Sequence, residues 1–110
     1  TFKCQDFEKT FKETMKGDVI YCDPPYVPLS VTSSFTSYSK DDFDLGDQSR
    51  LAKSAIASQS IGIRCVISNH DLDVTRKMYE RSDIHEISVQ RNIASKSSSR
   101  KKVKEIIAVF

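Results

Sequence analysis

Hydrophobic residues along this chain cluster in short runs that are separated by polar stretches. Val19–Cys22 is a continuous apolar run that two prolines end abruptly, and such a run predicts a strand buried on both faces. Residues 65–67 form a second run of this kind, which the polar residues 68–71 close. The predicted strands cover about 19–22, 65–67, 84–89 and 103–110.

Apolar residues at helical spacing predict three helices. Asp6 suits an N-cap, and apolar residues follow it at every fourth position. Asp44 with Asp47 resembles a capping pair at the start of the next helix, which is expected to end near Gly62. The predicted helices cover about 7–16, 45–62 and 73–81.

The order of these elements is helix, strand, helix, strand, helix, strand, strand. Alternation of this kind is typical of an open α/β sheet with right-handed crossovers. Because no helix is predicted between the last two strands, the last strand is expected to be antiparallel. Residues 27–42 have no clear period and are expected to form a long loop. We expect one domain over residues 1–110.

Composition narrows the class of protein without indicating a function. The 110 residues are 38% hydrophobic, which suffices for a core, and no apolar run approaches about 20 residues. No charged-then-apolar signal region opens the chain. We therefore expect a soluble, cytoplasmic protein. The three cysteines lack metal-ligand spacing with either histidine, so we expect buried reduced thiols and no metal site.

Basic residues concentrate toward the carboxyl end. Residues 91–110 hold six of the 17 basic residues and one of the 15 acidic ones. A basic segment on a mildly acidic body indicates contact with a polyanion, but lysines that only keep a loop solvated give the same pattern. Charge alone leaves both interpretations open.

The segment Asp23-Pro24-Pro25-Tyr26 directly follows the first predicted strand, and ligands bind at the carboxyl ends of strands in open α/β sheets. A plain turn would tolerate Asp-Pro-Pro, yet this order of carboxylate, rigid residues and aromatic ring suits one chemistry. An adenine amine is a poor nucleophile because its lone pair is delocalised into the ring. The Asp23 carboxylate and the Pro24 carbonyl can accept both amine hydrogens and localise that lone pair. Tyr26 can stack on a base that has left the duplex.

Several segments along the chain form a recognisable set. They are V-I-Y-C-D-P-P-Y-V-P-L-S from Val19 to Ser30, Phe35 and Tyr38, S-N-H-D from Ser68 to Asp71, R-x-I from Arg91, and R-K-K-V from Arg100. Together they resemble the DNA adenine methylase (Dam) family, which methylates adenine in GATC. The resemblance covers nearly the whole chain.

This resemblance implies part of a class I, Rossmann-like methyltransferase sheet, with helices on both faces and an antiparallel last strand. It implies transfer of a methyl group from S-adenosylmethionine to adenine N6 in double-stranded DNA. Asp23 would contact both the target amine and the cofactor, and Tyr26 would stack on the flipped adenine. Ser30 and the loop after it would approach DNA phosphates.

Further candidate residues follow from their place in the chain and from the resemblance. Asp6 and Phe7 stand where the family contacts the adenine of the cofactor, although a helix cap and a core ring would also explain them. His70 is expected to orient a strand end, because the amine can lose its proton to solvent after transfer. Asn69 and Asp71 are expected to be turn and cap residues. The residues expected to contact DNA are Ser30, Phe35, Tyr38, Arg91, Asn92, Arg100 and Lys101.

The chain departs from the family in its glycines. The F-x-G-x-G cofactor loop has no counterpart among the three glycines, and the family's target-recognition region lies upstream of the matching segments. We therefore expect a carboxy-terminal part of the catalytic domain that does not methylate DNA alone. Two alternatives remain open. One is another amino-methyltransferase, which acts on cytosine N4, RNA or a protein amide, and the other is a non-catalytic nucleic-acid-binding domain.

Overall fold

A computed structural model of the chain describes residues 1–29, 43–90 and 102–110. Helices and strands alternate within these residues, which confirms the predicted mixed α/β class. The helices are α1 (Phe7–Glu13), α2 (Leu45–Ser60) and α3 (Asp73–Met78). The strands are β1 (Val19–Cys22), β2 (Arg64–His70), β3 (Asp83–Gln90) and β4 (Lys102–Val109).

The four strands form one sheet in the order β1-β2-β4-β3. β1 is parallel to β2, with Tyr21 opposite Val66. β4 lies between β2 and β3 and runs antiparallel to both. Because β1 and β2 are parallel, their carboxyl ends meet at one edge of the sheet, where Asp23 follows β1.

Local hydrogen bonds decide where α2 begins. The Asp47 N–H donates to Asp44 Oδ1 at 2.8 Å, and the Asp44 N–H donates to Asp47 Oδ2 at 3.0 Å. This reciprocal pair confirms the predicted capping. The other two helices are shorter than predicted, since α1 ends at Glu13 and α3 at Met78.

The second strand is longer than its apolar run. Pairing with β4 places Asn69 opposite Ile106 and His70 opposite Glu105, so the ladder continues to His70. The prediction that Asn69 is a turn residue is therefore wrong. Asp71 is not the cap of α3 either, because the N-cap position is Leu72.

One face of the sheet carries the core. Cys65, Ile67 and Asn69 alternate along β2 on this face, and the aligned residues of β4 lie beside them. The buried cluster consists of Leu51, Ala52, Ala55, Cys65, Ile67, Tyr79, Ile106, Ala108 and Phe110. Phe7 from α1 and Met78 from α3 pack against it, so all three helices contribute to this face. The prediction of helices on both faces stays a prediction.

The opposite face of β1 is exposed. Val19 and Tyr21 are 68% and 65% accessible to solvent. The prediction that β1 is buried on both faces is therefore wrong for the part of the chain that the structure describes. The reason is that the described helices bury their apolar residues against the other face.

The three cysteines differ in their exposure to solvent. All three cysteines are free, but Cys4 is exposed, Cys22 is half-buried and only Cys65 is buried, so the prediction of three buried thiols is wrong. Across residues 1–29, 43–90 and 102–110, no group of three His, Cys, Asp or Glu side chains is placed to hold a metal ion. No helix within those ranges is both long and apolar enough to cross a membrane.

Candidate active site

The Asp23 side chain lies exposed at the sheet edge where β1 ends. Its Oδ1 accepts a hydrogen bond of 3.2 Å from Ser68 Oγ, and Ser68 Oγ lies 3.3 Å from the donating Tyr21 hydroxyl. Within the described ranges, no donor bonds to Asp23 Oδ2. The carboxylate is thus tethered through one oxygen, and the other is available to a ligand.

The two prolines differ in burial and in the use of their carbonyls. Pro24 is buried and Pro25 is exposed. The Pro25 carbonyl accepts a hydrogen bond of 2.6 Å from Gln48 Nε2. The Pro24 carbonyl accepts none from any residue that the structure describes. An unengaged carbonyl therefore stands next to the available oxygen of Asp23 in the chain.

Tyr26 packs over the end of β2. Its ring meets that of His70 edge-on, with centroids 4.9 Å apart, and its hydroxyl donates to Glu105 Oε2 at 3.3 Å. Burial raises the pKa of Tyr26, and the negative charges of Glu105 and Asp23 raise it further. Tyr26 is therefore a neutral phenol at neutral pH.

The backbone of Val27 is held from both faces of β2. Its N–H donates to Asn69 Oδ1 at 2.9 Å, and its carbonyl lies 2.7 Å from His70 Nδ1. Asn69 Nδ2 donates to Gln48 Oε1 and to the Tyr79 hydroxyl, both at 3.1 Å. These contacts join α2 and β2 to the segment that carries Tyr26.

The sequence interpretation missed Gln48 and misplaced Asn69. The available signal was that Gln48 stands in the apolar stripe of α2, three positions before Leu51 and four before Ala52. A polar residue in such a stripe has to find a buried partner.

His70 contacts the Val27 carbonyl through one ring nitrogen. Because a carbonyl oxygen only accepts, Nδ1 carries the hydrogen that bonds to Val27. The other nitrogen, Nε2, is buried and has no hydrogen-bond partner among the described residues. The geometry agrees with an orienting role for His70, which stays a prediction.

Asp6 and Phe7 make structural contacts at the start of α1. Asp6 Oδ1 accepts from the Glu8 N–H at 2.9 Å, and Asp6 Oδ2 lies 3.3 Å from Arg50. The Arg50 guanidinium lies 4.6 Å from the centre of the Phe7 ring, and Phe43 packs beside that ring. These contacts account for both residues without a ligand, and a role for them at the cofactor stays a prediction.

The residues predicted to contact DNA lie outside the described residues, in 30–42 and 91–101. Those residues are Ser30, Phe35, Tyr38, Arg91, Asn92, Arg100 and Lys101.

The known proteins to which this chain is similar are named DNA adenine methylases. Over 109 residues it is 39% identical to the DNA adenine methylase of Escherichia coli K12, and over 112 residues it is 45% identical to that of Haemophilus influenzae. It is also 41% identical over 111 residues to the DNA adenine methylase of Vibrio cholerae. These alignments cover 99% to 100% of this chain, but only 38% to 40% of the length of the relatives.

A family model supports the same relationship. Residues 1–93, which are most of the chain, match the model of the D12 class N6 adenine-specific DNA methyltransferases. The matched residues include the D-P-P-Y segment at the carboxyl end of β1. The chain therefore belongs to the D12 class N6 adenine-specific DNA methyltransferase family.

Proposed function

We propose that the protein containing this chain transfers a methyl group from S-adenosylmethionine to N6 of adenine in double-stranded DNA, at GATC sites. The family and the names of the relatives support adenine in DNA as the substrate. One observation carries the proposal most directly. The Asp23 carboxylate and the Pro24 carbonyl are adjacent in the chain, and each keeps an acceptor that no described residue occupies.

The proposed chemistry uses these two acceptors together. Asp23 Oδ2 and the Pro24 carbonyl accept the two hydrogens of the adenine amine, which localises the nitrogen lone pair. Positive charge then develops on the nitrogen during transfer, so the Asp23 carboxylate stabilises the transition state more than the bound substrate. Tyr26 stacks on the extruded adenine and offsets part of the cost of unstacking it.

S-adenosylmethionine supplies an electrophilic methyl group when it is bound. Of the residues proposed to contact it, Asp23 fits best, because its carboxylate is exposed at the sheet edge. Asp6 and Phe7 fit less directly, since Arg50 already contacts both. The three glycines of this chain form no F-x-G-x-G loop. We therefore propose that the cofactor is held mainly by the remaining part of the protein, and that this chain alone is inactive.

The decisive assay uses the full-length protein with methyl-labelled S-adenosylmethionine and two matched duplexes, one with GATC and one scrambled. We expect N6-methyladenine in the GATC duplex, identified by mass spectrometry of the digested DNA. Label on cytosine N4 of the duplexes, or transfer only to RNA or to a protein substrate offered in parallel reactions, would contradict the proposal in favour of another amino-methyltransferase. DNA binding with no transfer to any substrate would indicate a non-catalytic domain.

A further inference from the structure

Two buried side-chain amides connect the backbone on either side of Tyr26. The Val27 N–H donates to Asn69 Oδ1, Asn69 Nδ2 donates to Gln48 Oε1, and Gln48 Nε2 donates to the Pro25 carbonyl. The three donor–acceptor distances are 2.9, 3.1 and 2.6 Å. We name the Gln48 and Asn69 side chains the amide relay.

The direction of the amide relay is determined by its two ends. A backbone N–H only donates and a carbonyl only accepts, so Asn69 must present its oxygen to Val27 and Gln48 its nitrogen to Pro25. The remaining oxygen and nitrogen then face each other as acceptor and donor. Gln48 is 1% exposed and Asn69 is fully buried, so water does not replace these bonds.

Burial of these amides lowers the free energy of unfolding unless every hydrogen bond is made. Apolar side chains of similar size would fill the same space without this cost, so packing alone does not explain the amides. Hydrogen bonds have a direction, which apolar packing lacks. The bond from Gln48 engages the Pro25 carbonyl, while the Pro24 carbonyl has no partner among the described residues. The relay therefore selects which of two successive carbonyls can receive a ligand.

We propose that Gln48 and Asn69 are positioning residues that set the Asp23 carboxylate and the Pro24 carbonyl as an acceptor pair, by holding the backbone at Pro25 and Val27. They act through the backbone and contact neither substrate nor cofactor. This inference rests on the proposed function, because the acceptor pair matters for rate only if an amine is methylated.

The variant Gln48→Glu tests the direction of the relay in the full-length enzyme. A protonated Glu has the shape of Gln, donates to the Pro25 carbonyl and accepts from Asn69. An ionised Glu has no hydrogen to donate and sets a charged oxygen against that carbonyl. Burial raises the pKa of such a carboxyl toward neutral pH, so the loss falls within a practical assay range.

The expected result is a pH-dependent rate. Relative to the unmodified enzyme, Gln48→Glu should be nearly as active at low pH and lose kcat, by about 100-fold, as pH rises. The Kd values for S-adenosylmethionine and DNA should change far less. Tyr79, which bonds to Asn69, stays neutral because burial raises its pKa to about 12. His70, which bonds to the Val27 carbonyl, is present in every variant, so comparison with the unmodified enzyme removes its contribution.

Two further variants serve as controls for this experiment. Gln48→Met keeps the length of the side chain but makes neither bond, so its kcat should be low at every pH. Gln59→Glu places the same new carboxyl at an exposed position of α2 and should leave the pH profile unchanged. The folded fraction of each variant is followed by circular dichroism at each pH.

The outcomes separate the two proposals. If the unmodified enzyme methylates no adenine, the proposed function is wrong and the rate role of the relay fails with it. If the unmodified enzyme is active but Gln48→Glu keeps full kcat at high pH, only the relay is refuted. A loss of activity that merely follows the loss of folded protein would also refute it, since the role would then be structural.

Discussion

Single residues at the sheet edge combine exposure with a limited set of contacts. Asp23 is exposed and accepts one hydrogen bond, from Ser68, among the described residues. Asn69, which follows Ser68 in β2, is fully buried, and its side chain hydrogen-bonds to four other residues. At this scale the Asp23 carboxylate has few contacts of its own, whereas its buried neighbours in β2 have many.

Asp23→Ala in the full-length protein should abolish nearly all methyl transfer and leave the fold intact. The reason is that the carboxylate is proposed to accept a hydrogen of the amine, while its exposed side chain contributes little to packing. Steady-state methylation of a GATC duplex measures the loss, and thermal unfolding checks the fold. Asp83→Ala, which removes an exposed carboxylate from β3, is the matched control. Appreciable turnover by Asp23→Ala would refute the role proposed for Asp23.

Asp71 makes stability depend on pH. Arg76 donates to its two oxygens at 2.6 and 2.9 Å, and Glu86 also pairs with Arg76. The bonded Arg76 holds the pKa of Asp71 below its usual value. A lowered carboxyl pKa stabilises the folded state above the unfolded pKa, about 4, and this stabilisation is lost as pH falls through the folded pKa.

Replacement of Arg76 should remove this acid sensitivity. We expect Arg76→Leu to lower the free energy of unfolding at neutral pH, and to have less effect near pH 2, because protonation of Asp71 in the folded state increases as pH falls. Urea unfolding at both pH values measures this difference. Arg81→Leu, at an exposed position that forms no ion pair among the described residues, should show no such pH dependence. Equal losses for Arg76→Leu at both pH values would contradict the linkage.

At the scale of elements, α2 connects its own N-terminal cap to a contact with the segment after β1. The reciprocal bonds of Asp44 and Asp47 start the helix, and Gln48 in its first turn reaches the Pro25 carbonyl. The start of α2 therefore decides where Gln48 stands. Among the described residues, the Ser68 hydroxyl of β2 hydrogen-bonds to Asp23. The parallel pairing of β1 with β2 ends one residue before Asp23, at Cys22 opposite Ile67.

Loss of the cap should destabilise the protein measurably. Asp44→Ala removes the acceptor of the Asp47 N–H and should cost about 1 kcal/mol of unfolding free energy. Asp44→Asn keeps an acceptor at the same position and should cost much less. Urea unfolding of both variants at neutral pH gives the comparison. Equal stability for the alanine and asparagine variants would show that the cap contributes nothing.

At the scale of the whole molecule, the two faces of the sheet differ. The three described helices pack on one face, while Val19 and Tyr21 are exposed on the other. The chain spans 38% to 40% of the length of its relatives. The proposed activity is therefore to be measured on the full-length protein.

The basic residues near the carboxyl end are predicted to contact DNA, which is a property of the whole molecule. We expect replacement of Arg91, Arg100 and Lys101 by glutamine to weaken DNA binding in the full-length protein. Each lost phosphate contact should reduce the slope of log K against log salt concentration by about 0.9. Binding titrations at several salt concentrations measure this slope. Glutamine at the exposed bases Lys53, Lys77 and Arg81 serves as the control, and an unchanged slope in the first variant would refute the assignment.

The sequence by itself determined the features that depend on near neighbours. Pro24 and Pro25 end β1 because neither can donate to a ladder, so Asp23 had to stand at a strand end. The spacing of Asp44 and Asp47 was enough to predict their reciprocal bonds, since a capping box spans only four successive residues.

The tertiary structure decided the features that depend on distant residues. Asn69 belongs to β2 because Ile106, far along the chain, pairs with it, and Gln48 is a site residue because the fold brings α2 against Pro25. The exposure of β1 depends on which face the helices cover, and a four-residue apolar run carries no information about that. Pairing and burial are properties of contacts between segments, so the local pattern placed Asp23-Pro24-Pro25-Tyr26 at a strand end but did not indicate the residues that hold this segment.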